Sequence, residues 1–236
     1  MSDGDKNVYL KHQQTKQNVS RETKSGSFTV ITADRQAVFD RLNVSPTVQS
    51  KLDTYVALLE EWQGKMNLVS DSTLPVVWTR HILDSAQIEQ YLKPSDKVIL
   101  DLGSGAGFPA LVLAILDESK SRTVHLVESD GKKCSFLQAV AEACGLQIVI
   151  HNERIEKMTV FKADVITARA LAALDKLVGY AKPFIGEQTR CLFLKGKKAD
   201  EELKLCAKKF VFTVEKHPSI TSDEGRILCL TGVKKK

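Results

Sequence analysis

Hydrophobic residues recur with a helical period in the first third of the chain. Between residues 47 and 63 they fall three, four or seven positions apart, which is the stripe of an amphipathic helix. Pro46 suits the first turn of such a helix, and Gly64 suits its end. The stripe consists of Val48, Leu52, Tyr55, Val56, Leu59 and Trp62.

A second apolar stretch, over residues 74–92, also has helical spacing. We expect it to end before Pro94, because proline disfavours helix in the residue ahead of it. The two stretches predict a helical segment over residues 40–93. Residues 1–30 hold few apolar side chains and cannot bury enough surface to offset the entropy of ordering, so we predict a flexible polar extension there.

From residue 94 onward, short apolar runs alternate with helical stretches such as residues 108–118 and 133–144. This order predicts a parallel sheet with helices on both faces. No helix fits between the last two runs, which we expect to pair antiparallel. We therefore assign residues 94–236 to one α/β domain with a Rossmann-like, mostly parallel sheet and an antiparallel C-terminal strand. The predicted strands are 97–102, 123–128, 146–150, 164–168, 191–196, 210–217 and 226–232.

The composition is that of a globular protein. Apolar residues make up 43% of the 236 positions and charged residues 27%, which argues against a disordered, collagenous or disulfide-stapled chain. No apolar run is long enough for a membrane span, and the N-terminus lacks the apolar core of a signal peptide. The five cysteines form no CxxC pair, so we expect reduced, buried thiols in a cytoplasmic protein.

The net charge permits a nucleic-acid partner without establishing one. The chain carries +5, from 34 basic and 29 acidic residues. Three of these charges are the consecutive lysines 234–236, which are as typical of a solvated chain end as of a phosphate contact.

The clearest chemical signal is the glycine-rich segment DLGSGAGFP at residues 101–109. It lies between the first strand and the first helix of the predicted sheet, where doubly wound folds bind ligands. Glycines such as Gly103 and Gly105 let the backbone turn sharply and approach a ligand. A dinucleotide fingerprint would need glycine at Phe108, and a phosphate-binding loop would need a following Gly-Lys-Ser/Thr. Neither is present.

An acidic residue, Glu128, ends the second predicted strand. A carboxylate there can accept charge-assisted hydrogen bonds from ribose hydroxyls. The pattern thus indicates a nucleoside ligand without a pyrophosphate, and S-adenosylmethionine is such a ligand. A plain strand-to-helix turn followed by a surface glutamate is the alternative interpretation.

Seven motifs together resemble the bacterial small-subunit (16S) ribosomal RNA guanine-N7 methyltransferases, the methyltransferase G or glucose-inhibited division protein B family. The resemblance spans residues 47–232. Ala110 stands where that family commonly has glycine, and the polar N-terminus is outside its usual pattern. The motifs are LLEEWQGKMNLVS (58–70), RHILDS (80–85), DLGSGAGFPA (101–110), VESDGKKCSFL (127–137), RIEKM (154–158), TARALAAL (167–174) and FLKGKK (193–198).

The resemblance implies cofactor contacts at Gly103 and Phe108 in the glycine turn, at Ile155 and Glu156 after the third strand, and at Arg169 after the fourth. The residue types agree with these roles but leave alternatives open. An isoleucine can cover an adenine face or simply pack in the core. A glutamate can reach the adenine edge or remain solvated.

The implied reaction is methyl transfer to N7 of the guanine at position 527 of 16S rRNA. This nitrogen has a lone pair and no proton, so positioning suffices and we assign no catalytic base. A cation about 4 Å from N7 would oppose the transfer by roughly 4 kcal/mol at an effective dielectric of 20. We therefore expect Arg169 to hold the cofactor carboxylate or an RNA phosphate, and Lys195 to contact RNA phosphate or remain solvated.

Arg80 and His81 precede the sheet in a segment that the resemblance makes a lid over cofactor or RNA, although a helix cap and a buried structural histidine would explain them equally well. No paired-histidine motif indicates a metal. The leading hypothesis is a monomeric rRNA methyltransferase that uses S-adenosylmethionine, acts on 16S rRNA or the 30S particle and has no membrane partner. The alternatives are a methyltransferase of small molecules or proteins, and a non-catalytic RNA-binding assembly module.

Overall fold

The computed structural model describes residues 34–236, so the predicted extension over residues 1–30 lies outside the described residues. Within this range the chain builds a single sheet of seven strands. The strands are β1 Val98–Leu102, β2 Thr123–Val127, β3 Ile148–His151, β4 Ala163–Arg169, β5 Ile185–Lys195, β6 Phe210–Pro218 and β7 Arg226–Lys235.

The order of strands across the sheet is β3-β2-β1-β4-β5-β7-β6. All pairs from β3 to β5 are parallel, whereas β7 is antiparallel to both of its neighbours. The predicted sheet, including its antiparallel C-terminal strand, is therefore confirmed. The strand order reverses between β1 and β4, which opens the crevice outside their carboxyl ends where open α/β sheets bind ligands.

Helices cover both faces of the sheet. The helices α1, α2, α4 and α5 pack with one face in a common hydrophobic core, and α6 and α7 pack on the other. Along β1 the side chains alternate accordingly, with Ile99 in the first core and Leu100 and Leu102 in the second. The helices are α1 34–42, α2 Pro46–Gln63, α3 Asp84–Ala86, α4 Ala110–Leu116, α5 Gly131–Cys144, α6 Leu174–Ala181 and α7 Ala199–Cys206.

Helix α2 confirms the predicted amphipathic stripe. The Ser45 hydroxyl caps it by accepting a hydrogen bond from the Val48 N–H at 3.2 Å, and Pro46 occupies its first turn. Trp62 of the stripe is half-buried. The other five stripe residues are buried, and the helix packs against α4 and α5. Burial of this face, rather than helix propensity, fixes the helix.

The second predicted helical stretch, over residues 74–92, is helical and ends before Pro94, but it is not a regular α-helix. The segment instead passes through 3₁₀, π and α turns in succession. Four of its polar side chains, His81, Asp84, Ser85 and Gln87, are buried, and Asp84 and Gln87 form hydrogen bonds with other elements. The turns are a 3₁₀ helix Asp71–Val76, a π-helical turn Trp78–Leu83, α3, and a 3₁₀ turn Glu89–Tyr91.

All five cysteines are buried and unpaired, as predicted. Among residues 34–236 no helix combines the length and the apolar character needed to cross a bilayer. The same residues contain no cluster of three or more histidine, cysteine, aspartate or glutamate side chains arranged to hold a metal ion.

Candidate active site

A cleft of about 490 Å³ lies at the carboxyl ends of β1, β2 and β4. It is bounded on one side by the irregular segment between α2 and β1. The cleft also contains Lys133, Arg154 and Tyr180, which sequence reasoning did not single out. Nine of the ten predicted site residues line it together: Arg80, His81, Gly103, Gly105, Phe108, Glu128, Ile155, Glu156 and Arg169.

Two positions in the turn after β1 have backbone conformations that favour glycine. Gly103 has φ +67°, which strains any residue with a Cβ, and a Cβ there would lie 2.4 Å from Leu171 Cδ1, so a side chain would also have to displace Leu171. Gly105 has φ +56°, but a Cβ on it would meet no heavy atom closer than 4.0 Å. This second glycine therefore presents bare backbone to the open cleft, the arrangement that a closely bound ligand requires.

The Glu128 carboxylate binds the glycine turn directly. One oxygen accepts a hydrogen bond from the Gly105 N–H at 2.9 Å, and the other accepts one from the Asp130 N–H at 2.8 Å. Each carboxylate oxygen can accept a second hydrogen bond, so ribose hydroxyls can still donate to it. Glu128 thus fixes the turn and keeps acceptor capacity free, so its predicted role toward a ribose stays a prediction.

An aromatic stack supports the turn from the side of the helices. The Phe108 ring lies between Tyr55, at 5.1 Å, and His81, at 5.0 Å between ring centroids. The Tyr55 hydroxyl donates a hydrogen bond to the Ala106 carbonyl oxygen at 2.5 Å. Burial raises the pKa of Tyr55 well above its usual value, so the phenol remains a donor. The sequence had shown Tyr55 only as one member of a helix stripe.

Arg169, at the end of β4, connects the sheet to the irregular segment. Its guanidinium donates to His81 Nδ1 at 2.8 Å and forms a buried ion pair with Asp84 at 3.2 Å. It also donates to the Arg80 carbonyl oxygen at 3.2 Å and lies 4.7 Å from the centre of the Phe108 ring. Arg169 therefore stabilises the wall of the cleft through its contacts with the irregular segment. Its contact with a ligand stays a prediction.

His81 is neutral in this network. Burial and the nearby Arg169 charge lower its pKa to about 3. Because Nδ1 accepts from Arg169, the ring proton resides on Nε2, which donates to Thr73 Oγ1 at 2.8 Å. The Thr73 hydroxyl in turn donates to the Ser70 carbonyl oxygen at 2.7 Å. Both ring nitrogens are occupied, which leaves His81 no capacity to act as a base toward the cleft.

Asp101, beneath the glycine turn at the end of β1, is fully buried. Its Oδ1 accepts a hydrogen bond from Thr167 Oγ1 at 2.7 Å, while its Oδ2 has no hydrogen-bond partner among the described residues. Burial raises its pKa to about 7. In the sequence, Asp101 was recognised only as the first residue of the glycine-rich motif, and no separate role was predicted for it.

Lys195 lies apart from the other predicted residues. Its ammonium group pairs with Glu202 at 2.6 Å and donates to the Ala172 carbonyl oxygen at 2.9 Å, with only 10% of the side chain exposed. It lines a second, adjoining pocket instead of the cleft. Contact with an RNA phosphate would require this ion pair to open, so that role stays a prediction.

The fold and the cleft together define a class. A glycine turn after β1, an acid at the end of β2 and an antiparallel β7 in a parallel sheet are the features of a Rossmann-like S-adenosylmethionine-dependent methyltransferase. Solved structures share this fold at low sequence identity. A ribosomal protein L11 methylase from Lactobacillus delbrueckii subsp. bulgaricus has a TM-score of 0.52 and 17% identity, covering 65% of this chain and 77% of that one. A candidate S-adenosyl-L-methionine-dependent methyltransferase from Methanococcus maripaludis has a TM-score of 0.53 and 12% identity, covering 77% and 93%.

The particular family follows from sequence relatives. Residues 48–229 match the family described as GidB, rRNA small subunit methyltransferase G, and the chain belongs to that family. The ribosomal RNA small subunit methyltransferase G of Paramagnetospirillum magneticum is 43% identical over 200 residues, which cover 85% of this chain and 96% of that protein. The corresponding protein of Rhodopseudomonas palustris is 41% identical over 219 residues, covering 91% and 93%.

Proposed function

We propose that this protein transfers the methyl group of S-adenosylmethionine to N7 of the guanine at position 527 of 16S rRNA. The observation that carries the proposal is the cleft itself. In a member of this family, it combines an open glycine backbone with a carboxylate that has spare acceptor capacity, and its one histidine, His81, is neutral with both ring nitrogens engaged.

The residues of the cleft fit the cofactor. Glu128 retains a lone pair on each oxygen for the two ribose hydroxyls, and Gly105 leaves room where any side chain would intrude. Ile155, on the 3₁₀ turn after β3, offers an apolar surface for adenine, and Glu156 lies beside it. When bound, the cofactor supplies a methyl group made electrophilic by the positive sulfur.

Methyl transfer to guanine N7 requires no general base from the protein. Guanine N7 attacks with a lone pair that carries no proton, so the chain needs to align the reactants and exclude competing water. The low pKa and occupied nitrogens of His81 agree with this. Arg169 would oppose the arrival of positive charge on guanine if it stood alone, but Asp84 at 3.2 Å offsets its charge.

The decisive experiment transfers labelled methyl from S-adenosylmethionine to 30S particles isolated from a strain that lacks the modification, and then maps the base. We expect label at N7 of a single guanine. Cofactor binding without label on RNA would instead support a methyltransferase of small molecules or proteins. RNA binding that persists in a variant unable to bind the cofactor, with no label in the wild type, would support a non-catalytic assembly module.

The proposal includes a monomer that works in the cytoplasm on the 30S particle or its 16S rRNA. The absence of a membrane-spanning helix in the described residues is compatible with it. Light scattering of the purified protein, alone and with cofactor, tests the monomer. A constant mass of two chains would refute it.

A further inference from the structure

A second pocket, of about 350 Å³, adjoins the cofactor cleft. Its volume falls in the range of about 300–1,000 Å³ typical of small-molecule sites. Arg80, Arg169 and Ala170 line both the pocket and the cleft, so a group bound in one can meet a group bound in the other along this shared wall. Of the residues assigned to the cofactor, only Arg169 lines the second pocket.

Ala170 on the shared wall has a strained backbone. Its φ is +55°, a left-handed conformation that is unfavourable for a residue with a Cβ. Such strain is found where a surrounding structure holds a residue for function, commonly at ligand sites. Here it occurs where the two pockets meet, directly after Arg169.

The rim of the second pocket is cationic. Lys197 and Lys198, in the loop after β5, are exposed, as is Arg80. Their side chains form no ion pair among residues 34–236. Three unneutralised cations around one opening favour a ligand that carries several phosphates, such as a segment of RNA backbone.

The interior of the pocket offers an acceptor. Glu202, on α7, uses Oε2 to accept hydrogen bonds from Lys195 at 2.6 Å and from the Leu174 N–H at 2.8 Å. Its Oε1 has no hydrogen-bond partner within the described part of the chain, and Glu202 lines this pocket but not the cofactor cleft. The free Oε1 can accept a hydrogen bond from the N2 amino group of guanine, whereas adenine has no amino group at that position.

We infer that the second pocket receives the target guanine after it has left the RNA stack, and that Glu202 reads its N1/N2 edge. This inference rests on the proposed function. N7 lies on the opposite side of the purine from the N1/N2 edge. A base with that edge at Glu202 therefore directs N7 toward the shared wall and the cofactor. Lys197, Lys198 and Arg80 then contact the flanking phosphates. Enzymes that modify a base within RNA or DNA commonly take it out of the stack in this way.

Filling the pocket tests its role. Ser222 lines the second pocket only, so Ser222→Trp should block it without touching the cofactor cleft. Glu224→Trp, two residues further on, is a matched control at an exposed position that lines neither pocket. We expect Ser222→Trp to lower methyl transfer to 30S particles at least 100-fold while calorimetry shows unchanged cofactor affinity, and Glu224→Trp to change neither.

A double-mutant cycle, in which Glu202 and the target base are changed separately and together, tests whether Glu202 recognises guanine. Glu202→Gln and the wild type are compared on 30S particles reconstituted with guanine or with inosine, which lacks the N2 amino group, at the target position. The wild type should prefer guanine about 10- to 100-fold, the scale of one hydrogen bond to a charged group. The variant should lose most of that preference. A purely structural effect of breaking the Lys195 pair slows both substrates equally and would overturn the role of Glu202.

The lysines have a separate readout. On single-stranded RNA the slope of log affinity against log salt should fall by about 0.7 for each phosphate that the protein no longer neutralises, so Lys197→Ala and Lys198→Ala should each reduce it by that amount.

Wild-type particles without label would refute the proposed function. Label that is equally strong in the wild type and in Ser222→Trp would refute the pocket while leaving the proposed function standing.

Discussion

Replacing Glu128 with alanine separates the two roles of this carboxylate. In the free protein the side chain accepts two backbone hydrogen bonds, from Gly105 and Asp130, and both donors lie where water can replace it. The decrease in stability should therefore be small, about 1 kcal/mol. In the cofactor complex the same oxygens are expected to accept from ribose hydroxyls in an enclosed cleft, where the effect on binding is larger.

The magnitude follows from the type of bond. A hydrogen bond to a charged group contributes about 1.5–3 kcal/mol, and each 1.4 kcal/mol changes an equilibrium constant tenfold. We therefore expect Glu128→Ala to weaken S-adenosylmethionine binding by about 2–3 kcal/mol, or roughly 30- to 150-fold. Glu128→Gln keeps one acceptor oxygen and should fall between the alanine variant and the wild type.

Isothermal titration calorimetry measures the affinity, and urea unfolding without cofactor measures the stability of the same samples. Glu187→Ala serves as the control, because Glu187 is exposed at the start of β5 and lines neither pocket. A folded Glu128→Ala protein that binds the cofactor within threefold of the wild type would refute the ribose assignment.

Three further predictions concern the support of the turn. Gly103→Arg should abolish cofactor binding in calorimetry and lower the melting temperature, because a side chain is strained at φ +67° and must also displace Leu171 beside the cleft; retained binding would contradict this. Tyr55→Phe should lower the free energy of unfolding by about 1–3 kcal/mol in urea titrations, since the buried Ala106 carbonyl loses its donor; an unchanged unfolding midpoint would show that the bond contributes nothing. Folding raises the pKa of Asp101 to about 7, so its neutral form stabilises the fold below about pH 4 and this contribution disappears as the pH rises through 7. Asp101→Asn should therefore gain stability relative to the wild type between pH 5 and pH 8, and a relative decrease over that interval would refute the raised pKa.

The helical segment before the sheet is part of the site as well as of the fold. Tyr55 from α2 holds the glycine turn, and His81 and Asp84 from the irregular segment hold Arg169. The same segment shares its hydrophobic core with α4 and α5. Changes in this segment are therefore transmitted to the cleft through direct contacts.

The sequence alone predicted the features that depend on neighbours in the chain. The stripe of α2 was visible because burial of one helix face requires apolar residues at fixed spacing. The alternation of strands and helices specified the parallel sheet, and the missing spacer between β6 and β7 specified their antiparallel pairing. The glycine turn and Glu128 were recognisable because a ligand at a strand end needs bare backbone and an acceptor at those positions.

Only the tertiary structure decided which partner each charged or polar side chain has. From the sequence, Lys195 was predicted to contact a phosphate, but in the structure it forms an ion pair with Glu202. Arg169 pairs with Asp84, which lies 85 residues away in the sequence. The irregular turns over residues 74–92 follow from such contacts, among them the hydrogen bond from Thr221 Oγ1 to Asp84 Oδ1. The spacing of apolar residues in helices and strands reflects which face of each element is buried. Ion pairs, the second pocket and the strain at Ala170 instead depend on contacts between residues far apart in the chain. Such contacts cannot be predicted from the spacing of residues along the sequence.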